Sequence, residues 1–119
     1  MNGVAASLFI AAHILAVACI ALVATIERRR AEFHVVSNFR DVLNLIAMAT
    51  LGASLVLGGF RAPVGFLVGF YHWLILYGVS RLSLRAAWVS SIAVPFPTLL
   101  FREHVESTLT ELLDSATLW

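Results

Sequence analysis

A chain of 119 residues that is 61% hydrophobic and 13% charged, with a net charge of +1, lies far from soluble domains, which run about 45–50% apolar and about 25% charged. Its single cysteine excludes an intrachain disulfide framework and a cysteine-based metal cluster. The charges are bunched, leaving long uncharged runs, so the fold class expected is all-α: an integral membrane helical bundle of three or four transmembrane helices over residues 1–97, followed by an amphipathic C-terminal helix over 98–119.

The first run carries no charge from Met1 to Ile26. At 1.5 Å per residue it is long enough to cross a hydrocarbon core of about 30 Å, and a helix is expected over residues 3–26. No basic segment precedes the run, and it outlasts the apolar stretch of a signal peptide, so an uncleaved span is expected. Arg28, Arg29 and Arg30 follow directly. Such a juxtamembrane cluster could meet lipid headgroups or nucleic acid, but an anchor that fixes topology accounts for it fully, and no nucleic-acid partner is expected. Cys19, inside the run, reads as a small packing residue.

The second span, residues 42–60, is bounded by Arg40 and Asp41 on one side and Arg61 on the other. The third, residues 62–80, follows the connection "GGFRAPVG", where Gly58 and Gly59 suit a turn and Pro63 suits the first turn of a helix. The two should form an antiparallel hairpin. After Arg85 come sixteen uncharged residues, "AAWVSSIAVPFPTLLF", roughly 24 Å if helical. Pro95 and Pro97 remove two amide donors near the end of that run. The segment 86–97 is therefore either a short, broken fourth crossing or a re-entrant or interfacial stretch.

In the tail, Phe101, Val105, Leu109, Leu112 and Leu113 recur at spacings of three and four, the pattern of an amphipathic helix with one buried side. Thr98 is a candidate N-cap. From Arg102 onward one arginine faces Glu103, Glu106, Glu111 and Asp114. Interfacial helices that bind anionic lipid are usually basic, so these five apolar residues are expected to dock on a protein partner or a second copy of the chain. All eight cations are arginine. With the amino terminus external, six of them lie inside, the orientation favoured by the positive-inside rule.

Gly65 and Gly69 form a GxxxG pair, and Ala12 with Ala16 and Ala49 with Ala53 repeat the small-xxx-small spacing. These positions allow close helix packing, either within the bundle or against other subunits. The search for chemistry leaves two residues, His13 and His72. Each lies about ten residues from the same end of its helix, hence about 15 Å deep, and both helices run in the same direction, so the imidazoles share a depth. Polar groups at such depth face the bundle interior or a partner. Three readings are open: interhelical hydrogen bonding, axial ligation of a tetrapyrrole such as haem b, and a proton or substrate relay.

The expected function is a non-catalytic accessory or anchoring subunit of a larger membrane complex. Its partners would be the lipid bilayer and other membrane subunits or a self-oligomer. The alternatives are a haem b-binding electron-transfer anchor using His13 and His72, and a small oligomeric transporter or channel.

Overall fold

The computed structural model describes residues 3–28 and 36–117; Arg29, Arg30 and His34 lie outside them. Among the described residues the chain is all-helical: α1 (Gly3–Arg28), α2 (Val36–Leu57), α3 (Ala62–Leu82), α4 (Leu84–Ala93), α5 (Pro95–Leu100) and α6 (Arg102–Thr117). Three helices are long and apolar enough to cross a membrane, over Gly3–Glu27, Phe39–Leu57 and Ala62–Leu82. The arm Leu84–Leu100 joined to α6 makes a fourth candidate span with a 77° bend. The protein is thus a multi-pass helical bundle whose surface meets the bilayer.

α2 starts earlier than its apolar run because the charged residues before that run extend the helix into the polar zone. There Arg40 bonds Glu27 of α1 at 3.1 Å and lies 3.8 Å from Asp41. Its other end stops at Leu57, three residues short of the expected boundary, for a local reason. The Phe60 N–H donates to the Leu55 carbonyl and the Gly59 N–H to the Val56 carbonyl, both at 3.1 Å. These are the two bonds of a Schellman cap. Gly59 takes φ +105°, which only glycine adopts without strain. Phe60 then packs with Leu55 in one buried cluster, the apolar contact that accompanies such a cap. Pro63 sits in the first turn of α3, and the hairpin is closed.

α2 and α3 approach closely because glycines face one another. A Cβ built on Gly69 would lie 2.6 Å from the Gly52 nitrogen and 2.8 Å from its Cα, and one on Gly65 would lie 2.8 Å from Val56 Cγ2. Only hydrogen fits between these backbones.

At the far end of α3 a single extended residue, Ser83 (φ −164°, ψ 130°), turns the chain and caps α4 by accepting the Ala86 N–H at 3.4 Å. The arm α4–α5 then runs back along the bundle to its hairpin end, where the Arg102 guanidinium lies over the Phe60 ring at 5.7 Å. The prolines do not break it sharply. Val94 keeps helical angles and its N–H still donates to Ser90 at 2.8 Å. The sharp bend comes at Phe101 (φ −111°, ψ 32°), so Thr98 lies within α5 and is not the N-cap expected of it.

Candidate functional site

Two apolar clusters fill the bundle. Phe9, Leu55, Phe60, Val64 and Val68 occupy the hairpin half, while a longer cluster including Ala16, Val17, Leu51 and Leu76 fills the rest. His13 and His72 sit where the clusters meet, one helical turn beyond Phe9 and Val68 respectively. Both are buried, at 0% and 6% exposure, as is Thr98 at 7%.

These side chains form one hydrogen-bonded chain. His13 Nδ1 lies 2.8 Å from the Phe9 carbonyl oxygen, His13 Nε2 lies 2.5 Å from His72 Nδ1, and His72 Nε2 lies 2.8 Å from Thr98 Oγ1. An imidazolium among these apolar side chains would be an unpaired buried charge, so both rings are assigned as neutral. Every proton position then follows from the partners. A carbonyl can only accept, so His13 donates from Nδ1 and its Nε2 is bare. His72 must therefore donate from Nδ1 to that nitrogen, which leaves its Nε2 to accept from the Thr98 hydroxyl. The Phe9 ring closes the site, edge-on to His13 at 4.5 Å and tilted against His72 at 5.2 Å.

The chain joins three segments that are distant in sequence. α1 supplies Phe9 and His13, α3 supplies His72, and α5 supplies Thr98, held in place because the proline-bearing arm stays helical. With all four ring nitrogens engaged, a tetrapyrrole iron could be ligated only after the His13–His72 bond opened and a macrocycle entered between the rings, which now stand 4.7 Å apart at their centroids. A relay would need an exit, and the chain ends at a main-chain carbonyl that has no proton to pass on. As it stands, this chain of bonds links α1 to α3 and α3 to α5.

The small residues divide. Ala12 and Ala16 are buried inside the bundle, Gly65 and Gly69 are consumed by the α2–α3 contact, and Ala49 and Ala53 are exposed on α2. Beside the last two, Leu8, Ala12, Ala49, Ala53 and Leu57 line an open groove of ≈ 370 Å³ between α1 and α2. Thr50 and Ser54 also line it, but their hydroxyls donate to carbonyls of their own helix at 2.7 and 2.8 Å, so the groove presents an apolar wall.

The tail divides as well. Val105, Leu109 and Leu113 pack on the hairpin-end cluster of this chain itself, so the docking surface expected of these three is closed internally by the bend at Phe101. Phe101 and Leu112 remain exposed, at 61% and 60%. Of the arginine anchors, Arg28 ends α1.

Sequence reasoning missed Thr98 as a partner of His72, the Phe9 carbonyl as the acceptor for His13, and Gly52 as the residue opposite Gly69. Phe9 was findable from the four-residue step to His13. Gly52 carries no motif within its own helix. Compared with protein-family models, with curated proteins and with solved structures, the chain has no match.

Proposed function

We propose that this chain is a non-catalytic accessory or anchoring subunit of a larger membrane complex, joined to it through the groove between α1 and α2. The observation that carries this reading is the exposed pair Ala49 and Ala53 beside that groove. Small residues at the usual spacing let a further transmembrane helix approach closely, and unlike Gly65 and Gly69 these two are not used by the bundle. The histidine chain supports the same reading, because it commits the mid-membrane polar groups to holding α1, α3 and α5 together.

The test is blue-native migration from native membranes in mild detergent. The wild type is expected in a species well above the mass of the monomer. The double variant Ala49→Phe/Ala53→Phe, which fills the groove, is expected to stay membrane-inserted and to migrate as a smaller species. A wild type that migrates as a monomer, or a double variant that co-migrates with it unchanged, contradicts the proposal.

A further inference from the structure

A second surface, independent of the groove, follows from the elbow at Phe101. Arg102 lies at the hairpin end of the bundle, against Gly59 and over the Phe60 ring. That end is a membrane boundary, since the exposed Arg61 separates the apolar runs of α2 and α3. α6 leaves this level bent by 77° from the arm before it, so it lies across the end of the bundle.

At about 100° per residue its side chains separate by direction around the helix, and Glu106 with Thr110 is half-buried on one flank. Val105, Leu109 and Leu113, four apart, face the bundle. Glu103, Ser107, Glu111 and Asp114 are exposed on the side turned away from it. Leu112 and Thr108 line one of the two flanks between these sides, with Phe101 at the bend about three turns from Leu112 and with His104 and Ser115 on the flank's edge toward the acidic side, and all five are exposed. This flank continues the outward apolar side of α5, where Phe96 and Leu100 are exposed directly before the bend. We propose that the Phe101–Thr108–Leu112 flank is an interfacial surface seated at the acyl–headgroup boundary of the bilayer, with the acidic side turned to water. The lipid-facing side of the fourth arm would thus continue, without a gap, onto the tail.

Composition sets the depth and the lipid. A threonine between two large apolar residues suits the boundary level, where a hydroxyl still meets water, rather than the hydrocarbon interior. Four carboxylates against Arg102 gain nothing from anionic headgroups, so the contact depends on apolar burial and suits a zwitterionic surface.

The test uses the full chain with Cys19→Ala and a single cysteine at Thr108, Leu112, Ser107, Glu103 or Val105. Each is nitroxide-labelled and reconstituted at low density in phosphatidylcholine vesicles. The Thr108 label leaves both Phe101 and Leu112 in place, so it reads the flank with its apolar residues intact. Collision with oxygen, which concentrates in the acyl region, is compared with collision with a water-soluble nickel chelate. Labels at Thr108 and Leu112 are expected to show an oxygen-to-nickel ratio several-fold above those at Ser107 and Glu103, unchanged on further dilution in lipid. A label at Val105 should be shielded from both reagents, reporting that the tail is still docked. Equal access of the nickel chelate to Thr108, Leu112, Ser107 and Glu103 would place the flank in water and overturn the proposal. Shielding of Thr108 and Leu112 from both reagents would overturn it too: loss of that shielding on dilution would assign the flank to a second copy, and its persistence to this chain's own packing.

Discussion

Replacing His72 with leucine keeps the volume and removes two hydrogen bonds at once. His13 Nε2, on a fully buried residue, loses its donor, while the Thr98 hydroxyl can turn to a carbonyl of its own helix. A buried acceptor left unpaired costs about 1–3 kcal/mol, more than the roughly 0.6–2 kcal/mol that an interhelical hydrogen bond contributes in a membrane protein. His13→Leu strands the His72 Nδ1–H in the same way and should cost about as much. The double variant leaves neither group stranded. Its cost should therefore fall short of the sum of the singles by about 1–2 kcal/mol, the coupling of two groups that bond each other. Reversible unfolding in mixed micelles on adding a denaturing detergent, followed by tryptophan fluorescence, measures all four species. Additivity to within about 0.5 kcal/mol, the behaviour of independent sites, would refute the hydrogen-bonded chain.

Gly69→Ala places a methyl against the Gly52 backbone and should cost about 1–3 kcal/mol as an overpacked contact, whereas Gly78→Ala, with nothing within 4 Å of the added carbon, should gain about 0.5–1 kcal/mol from helix propensity; the same unfolding assay compares them. The purified wild type should show no Soret band, since all four ring nitrogens are engaged in hydrogen bonds, and a band lost in both His13→Leu and His72→Leu would restore the haem reading. Topology reporters before Gly3 and after Ala116 should read the same side of the membrane, and one at position 32 the opposite side. The arginine distribution further predicts that the shared side is external, so the reverse result would overturn the orientation alone.

The histidine pair was legible because depth is a matter of counting. Ten residues from the start of two parallel helices place both rings in one layer, and cost then draws polar groups inward. Thr98 was not legible. Its place depends on α5 remaining helical past two prolines and on Ser83 turning the chain within one residue, neither of which shows in the apolar pattern. The GxxxG pair of α3 could be read, but its counterpart, Gly52, is a lone glycine with meaning only across the interface. In the tail, spacings of three and four merged two strips into one side. They point in different directions around the helix, and once the bend at Phe101 lays α6 across the bundle, Leu109 packs inward and Leu112 stays outside.

The tautomers test the central claim most directly. With the protein nitrogen-15-labelled at histidine and embedded in bilayers, solid-state magnetic resonance reports which nitrogen of each ring carries a proton. The hydrogen-bonded chain predicts two neutral rings, both protonated at Nδ1, with scalar coupling across the bond from His72 Nδ1–H to His13 Nε2. Imidazolium signals, Nε2–H tautomers at either position, or paramagnetic loss of the two resonances through a bound iron would contradict it.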